Sequence, residues 1–550
     1  MTTIETSTPG VANLPDRQPV SLWERIDAWA EYGSEFLNPI LVKETRQALK
    51  SKQFAIMFTL VLACGWGWSL LGVAVNSPTI YYSASGPFML VGYVDILLFP
   101  LVVIIPFSTF RSLAGEREDG TYELLSVSSL PAAQIISGKL GSALLQMIVY
   151  LSALAPCIAF TYLLRGIDII AICYVLTTAT LVSALLSMAG LLIATFSSAK
   201  SWQSVLSVGV IVLLLCAYYL TARLTFAAVL EVTQWRQYDV IEFWVWTLGA
   251  LTIYFSYFAL LYFAASAAIS FASENRSTKL RVVILAQHFL FFFWFCWAFV
   301  ATDYAVGFLS ALITVLALHW GYYGALAAGE SPVLSSRVRR TIPGDVLSRL
   351  YGNWFLPGPA RGYFFAVSGM LSAAAAVLMI AQATREIGNV KLPDLQTLNA
   401  YVAATTSYVV IYLGVGRLLM IGLRRVGAGD IFLSAIIHLL LVMFGVFVPL
   451  IIQLSSSWIP NNEYSLVQII NPFWTLAAIL SDPITGGNPT LLTSVILLAI
   501  GAVMTLVLQI ILSAGDIAPV RQAAPQRVIE EERSLVPAAT PEPESPWDDA

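Results

Sequence analysis

Twelve stretches of about 20 residues or more, nearly free of charge, constrain this chain more than any other feature of its sequence. They lie near 53–75, 88–110, 140–164, 169–198, 203–223, 241–271, 282–302, 304–328, 362–383, 401–423, 431–454 and 491–513. Lipid offers backbone groups no hydrogen-bond partner, and a helix needs about 20 apolar residues to cross roughly 30 Å of hydrocarbon, so runs of this length fold as spanning helices. Composition agrees: 58% of residues are hydrophobic, 11% are charged and the mean hydropathy is +0.77, whereas soluble domains are about 45–50% apolar and about 25% charged. The expectation is an all-α integral membrane protein with about 12 transmembrane helices.

Charge orients these runs. Basic residues gather in alternate connections: Arg17, Arg25, Lys43, Arg46, Lys50 and Lys52; Arg111, Arg117 and Lys139; Lys200; Arg276, Lys279 and Arg281; Arg337, Arg339, Arg340, Arg349 and Arg361; Arg424 and Arg425; Arg521, Arg527 and Arg533. The opposite side holds Arg165, Arg223, Arg236, Arg385 and Lys391. The positive-inside bias assigns the first set, and with it both termini, to the cytoplasmic side. Residues 1–20 lack the basic start and apolar core of a signal peptide, and with 516–550 they read as disordered cytoplasmic tails.

Cut near residue 275, the chain yields two halves, 53–275 and 276–515, each with six spans and a cytoplasmic start. Each half has its longest internal cytoplasmic loop between its second and third spans, 111–139 and 329–361. Each has its longest external segment just before its sixth span, 224–240 and 455–490. That is the plan of a parallel six-plus-six pseudo-repeat.

Two further segments precede the first span. Residues 21–37 set Leu22, Trp23, Ile26, Trp29, Gly33, Phe36 and Leu37 on one helical stripe, the pattern of an interfacial helix. Residues 38–52 offer Asn38 as N-cap and Pro39 as the first helical residue, then set Ile40, Leu41, Ala48 and Leu49 against Lys43, Arg46, Lys50 and Lys52. Two placements stand for this second helix: flat on the anionic inner leaflet, where each basic residue contributes about 1 kcal/mol, or as a cytoplasmic extension of the first span.

Little in the sequence could perform chemistry. A phosphate-cradling loop of the form G-x-x-x-x-G-K-[ST] is missing, because the Gly138-Lys139 pair is followed by Leu140 and has Ala133 where the first glycine would stand. The chain is therefore expected to carry no ATPase site and not to be an enzyme. Cys64, Cys157, Cys173, Cys216 and Cys296 fall in apolar runs without C-x-x-C spacing, and His288, His319 and His438 stand singly, so neither catalytic nor metal-ligating residues are expected. Ion-coupled carriers place ionisable groups deep in the bilayer at a cost of about 2.5–3.5 kcal/mol each. Here the candidates are Asp95, Arg417 and Glu242; Arg417 can snorkel and Glu242 sits at the outer edge. Asp95, about two turns into the second span, is a candidate intramembrane polar site. It either lines a pathway or sits near a helix end with access to water.

One connection breaks the basic rule. The stretch GEREDGTYELL, residues 115–125, gathers Glu116, Arg117, Glu118, Asp119 and Glu123 between the second and third spans. Residues 112–119 can form about two helical turns, Gly120 can close them in a left-handed conformation and Thr121 can cap a second short helix. Leu113, Leu124, Leu125, Val127 and Leu130 would then face the membrane, and the carboxylates would project towards a basic partner.

ERE-x-GT-x-ELL, followed by Pro131 and by Ile-x-x-Gly-Lys at 135–139, resembles the type 2 permeases of ATP-binding cassette (ABC) transporters. Glu116, Glu118, Gly120, Thr121, Glu123, Leu124 and Leu125 match the family's pattern, as do Gly138 and Lys139 leading into the third span. Residues 38–52, with Asn38, Pro39, Lys43, Glu44 and Arg46, resemble its elbow helix. The resemblance implies a permease of the cell inner membrane, more in keeping with export than import, whose 111–139 loop docks on a separate cytoplasmic ABC ATPase. ATP would then be bound by that partner. Membrane lipids would be further partners, and nucleic acid would not. It also implies a partly re-entrant hairpin within 455–489.

The departures leave alternatives open. The family's usual subunit has six spans, and the second loop here, 330–362, lacks Glu-x-Glu-x-Gly-Thr and is strongly basic. Either the chain is a fused pair with one degenerate coupling loop, or the first half forms a homodimer and the second is an accessory domain. Arg337, Arg339 and Arg340 either contact a partner or serve topology and lipid headgroups. The competing functional class is a non-transporting membrane scaffold or assembly factor; an ion-coupled carrier is disfavoured by the scarcity of buried charge.

Overall fold

A computed structural model describes residues 38–77, 82–121, 130–196, 199–235, 239–271, 273–340, 352–386, 391–427, 429–456, 464–481 and 489–514, with a few single positions besides. The expected interfacial helix at 21–37, residues 1–20, most of the chain beyond 514, and Glu123, Leu124, Leu125 and Val127 of the acidic loop lie outside the described residues. Among the described residues the regular structure is helical, and 12 helices are long and apolar enough to cross a membrane, each overlapping one apolar run. The protein is an all-α, multi-pass integral membrane protein.

By internal contacts the chain forms two compact units, Met1–Tyr238 and Asp239–Ala550. The division falls before the span at 241–269, not after it, so the first unit holds five spans and the second seven.

The first unit begins with α1 (Pro39–Leu49) and α2 (Lys52–Asn76). Asn38 caps α1 by accepting from the Ile40 amide, and Pro39 takes the first-turn position where its missing N–H costs nothing. Lys50 ends α1, and Ser51, extended at ψ 140°, starts α2 with its hydroxyl accepting from the Phe54 amide at 3.1 Å. The chain therefore breaks between α1 and α2, and α1 is a separate helix. It does not continue the first span.

Next come α3 (Gly86–Glu118), α4 (Ala132–Leu163), α5 (Ile169–Ala194) and α6 (Lys200–Trp235). α3 is the core of this unit, packing against α2, α4, α5 and α6. Its 33 residues reach about 50 Å at 1.5 Å per residue, well beyond the roughly 30 Å of hydrocarbon. The acidic residues near 116–119 thus ride on a helical extension past the bilayer.

Within α3, Phe99–Ile104 is π-helical, and the sequence explains it. The Ile105 amide reaches back five residues to the Pro100 carbonyl, and Pro106 has no N–H. The Leu101 carbonyl thereby loses both possible intrahelical donors, and the buried Ser183 hydroxyl of α5 donates to it instead. Ser183→Ala is expected to lower unfolding stability by about 1 kcal/mol, in line with hydrogen bonds between membrane helices; a thermal melt of the detergent-solubilised protein measures it.

The second unit comprises α7 (Ile241–Ile269), α8 (Thr278–Ala301), α9 (Gly307–Ala327), the short α10 (Ser336–Arg340), α11 (Pro359–Glu386), α12 (Leu392–Arg424), α13 (Ile431–Ser455), α14 (Pro472–Ser481) and α15 (Pro489–Ser513). Here α12 is central, contacting α9, α11, α13, α14 and α15. The core is built from Leu312, Leu316, Trp320, Met370, Val377 and their neighbours, while Leu439, Phe444, Ile451, Met504 and Ile511 point outward, as lipid-facing side chains do.

A 3-10 turn (Leu466–Ile470) leads into α14, ten residues long and too short to span. It is held among the long helices by Gln468, whose amide donates to Gln453 Oε1 at 2.7 Å, and by the Tyr408 and Tyr412 hydroxyls, each donating to a backbone carbonyl at 2.6 Å.

Candidate functional site

Three elements of the first unit converge on Lys139, the eighth residue of α4. Its residue is 2% exposed, yet its ammonium is fully engaged. Nζ lies 2.9 Å from Glu44 Oε1 on α1 and 3.1 Å from Glu116 Oε2 near the end of α3. It also lies 3.3 Å from both the carbonyl and the hydroxyl of Ser112. The ammonium thus donates to Glu44 and Ser112, with the Glu116 carboxylate beside it at ion-pair distance. Lys43 stands 3.4 Å from Glu116, so two cations balance two carboxylates.

The local sequence explains why the cluster forms there. A Cβ added to Gly138 would sit 2.8 Å from Ile40 Cβ, and one added to Gly141 2.9 Å from Leu41 Cδ1, so both glycines let α1 approach the α4 backbone. Asn38, besides capping α1, donates from Nδ2 to the Gln134 carbonyl at 2.6 Å. Glycine admits the helix and the adjacent lysine binds its Glu44. The Gly138-Lys139 pair is a docking device for α1, which rests on α4 through Ile40 and Leu41.

The acidic stretch takes the expected backbone course. Helix α3 ends at Glu118, and Gly120 turns the chain at φ +71°. Thr121, expected to cap a following helix, donates from its hydroxyl back to the Glu116 carbonyl at 3.2 Å.

The side chains correct the expectation that all the carboxylates project outward. Glu116 is bound to Lys139 and Lys43, and Glu118 lies 3.7 Å from Lys200 and 3.9 Å from Arg111. The Glu118 contacts involve exposed cations and contribute at most about 1 kcal/mol; the Lys139 pairs are shielded and are not weakened in that way. Arg117 is half-buried, while Asp119 is an exposed acid at the tip of the described part.

Other candidates fall elsewhere. Asp95 is part-buried on α3, one turn before the π-helical segment, and its Oδ1 makes no hydrogen bond among the described residues. Glu242 is exposed in the first turn of α7. Arg417 does not snorkel: it is 2% exposed, bonded to Gln509 and to Ser513 at 2.7 Å and placed over the Tyr363 ring, because α12 is enclosed on that side by α15 and α11. The histidines are packed: the Trp320 indole donates to His288 Nδ1 at 3.2 Å, and His319 and His438 donate to the Ile284 and Ser434 carbonyls at 3.0 and 2.8 Å.

The second unit contains a comparable cluster that the sequence reading missed. Arg281 on α8 is 0% exposed and lies 2.7 Å from Glu330 Oε2, just past α9. Glu330 also accepts from Ser277 Oγ at 2.8 Å and the Gly358 amide at 2.6 Å, while Arg281 donates to the Trp354 carbonyl at 2.7 Å. Arg424, closing α12, donates to the carbonyls of Ala328 and Glu330, each at 2.7 Å. The available signal was a single acid, Glu330, directly before a basic stretch. That stretch is folded where described: Leu334, Val338, Ile342 and Leu356 form a small apolar core, Arg361 donates to Asn353 at 2.8 Å, and Arg337 reaches Glu274 at 3.7 Å.

No family model, no curated protein and no solved structure matches this chain. Its class rests on its own fold, that of a multi-pass membrane protein of transporter-like architecture.

Proposed function

We propose that this chain is the permease subunit of an ABC exporter, supplying the substrate path while a separate cytoplasmic ATPase docks on the 111–139 loop and supplies the energy. The Lys139 cluster carries the reading. A loop that transmits force must be joined to the helices it moves, and Lys139 joins α1, the end of α3 and the start of α4 beside the acidic stretch. Displacement of the loop would move these elements as one body, the rigid-body kind of coupling that switches access states.

The second unit's Glu330 supports the fused-pair form of this reading. Like Glu116 in the last turn of α3, it lies near the end of a span, just past α9, and is tied to a buried cation, Arg281, although its loop has lost the acidic pattern. ATP, on this reading, belongs to the partner, and the chain contributes no catalytic residue.

Asp119 and Glu123 are the acids to reverse in a test, because altering Glu116 would also break the Lys139 cluster. Asp119→Lys with Glu123→Lys is expected to reduce co-purification of the ATPase at least about ten-fold, since like charges facing each other across an interface are strongly repelled. Equal recovery by the two forms would overturn the docking assignment and favour a scaffold.

A further inference from the structure

A groove of about 240 Å³ opens in the second unit between α12, α13, α15 and the 3-10 turn that precedes α14. Its lining grades from buried Tyr408, Gly445 and Leu498 to Val415, Phe444, Ile470 and Leu497, which are 36–60% exposed. The groove is therefore open on the outward side of these helices. Gly445 shapes it: a Cβ there would collide with the Tyr412 hydroxyl, which donates to the Ile470 carbonyl at 2.6 Å.

Its depth limits what can enter. Tyr408, Gly445 and Leu498 lie within three residues of the midpoints of α12, α13 and α15, which are residues 408, 443 and 501. Three residues are about 5 Å at 1.5 Å per residue. Spans centred on roughly 30 Å of hydrocarbon thus place the groove near the middle of the bilayer. Leu439 and Met504, within four residues of the same midpoints, are 62% and 67% exposed, so the surface beside the groove is lipid-facing.

Polarity and size exclude most occupants. The only polar side-chain atoms in the lining are the hydroxyls of Tyr408 and Tyr412, and both already donate to carbonyls at 2.6 Å. A water needs two to four polar partners, and apolar cavities of about 150 Å³ stay dry while accepting hydrocarbon. An ionic group at this depth would find no counter-charge in the lining. A helix, about 10–12 Å across with its side chains, is too thick. Pockets for drug-sized ligands begin at about 300 Å³, above this volume. A slender hydrocarbon chain meets every condition.

We propose that this groove binds one acyl chain of a membrane phospholipid, its terminal part lying against the Tyr408 and Tyr412 rings and covering Ile469 and Ile470 of the 3-10 turn. The headgroup stays at the bilayer surface, so the site selects a chain and not a head. Dispersion contacts on more than one side offset the freedom the chain loses on leaving bulk lipid. This inference does not rest on ATPase docking.

The test reconstitutes the full chain in liposomes of phosphatidylcholine that carries a diazirine at the end of one acyl chain, then applies photolysis and peptide mass spectrometry. Adduct yield at Val415, Phe444 and Leu497 is expected to exceed that at Leu439 and Met504, which share their depth, by at least about five-fold, since a seated chain keeps contacts that bulk lipid does not. Val415→Trp and, separately, Leu497→Trp should fill the rim and lower the yield at Phe444 about five-fold, with Leu439 and Met504 labelled as before because the fold is kept. Equal yields inside and outside the groove of the wild type would overturn the assignment, and this ratio decides even where a tryptophan variant does not fold. A groove filled by a second copy of the chain would give that same result. Undiminished labelling of Phe444 in a folded variant would overturn it as well.

Discussion

Lys139→Met is expected to cost about 3–5 kcal/mol of unfolding stability, because removing one partner of a shielded ion pair leaves the others uncompensated. Here Glu44 and Glu116 would face each other with only Lys43, an exposed cation 3.4 Å from Glu116, left nearby. Adding Glu44→Gln and Glu116→Gln to the same chain should recover most of the loss, since the replacement then removes charges of both signs and retains hydrogen-bonding groups. Denaturant titration of the wild type, single and triple variants in detergent provides the comparison. A single variant as stable as the wild type would show that Lys139 is not what holds α1 to α3 and α4. A triple variant no better than the single would show that the cost lies in lost packing, not in charge.

Glu330→Gln is expected to have a similar effect in the second unit, about 3–5 kcal/mol, by leaving the Arg281 guanidinium buried without its carboxylate. The amide oxygen can still accept from Ser277 or the Gly358 amide, so the isosteric change isolates the charge from most of the geometry. Arg281→Met in the same background should regain stability, and the two losses should be strongly non-additive, as in any double-mutant cycle across a direct contact. Additive losses would mean that Arg281 is held chiefly by the Trp354 carbonyl and the rings of Tyr323 and Phe365 beneath it.

Much of the candidate site was legible as residues but not as a site. Asn38 as cap, Pro39 as first residue and Gly120 as turn could be read locally because each depends on the backbone within a few positions of itself. Glu44, Glu116 and Lys139 could each be named, yet their meeting joins positions 95 and 23 residues apart through the docking of α1 on two glycines. The same holds for Arg281 and Glu330, 49 residues apart. Their isolation in sequence made them read as topological charge and loop, and burial gave them their structural role.

The sequence by itself determined the solvent and the class of fold. Apolar runs longer than the hydrocarbon is thick leave helix as the economical way to satisfy the backbone, so the helices were fixed by local composition. Only the tertiary structure decided where the carboxylates of Glu116 and Glu118 point. Whether Glu116 and Glu118 face a partner or their own unit depends on which cations packing brings within about 4 Å, and Coulomb attraction in a shielded setting is steep enough for that to settle the matter.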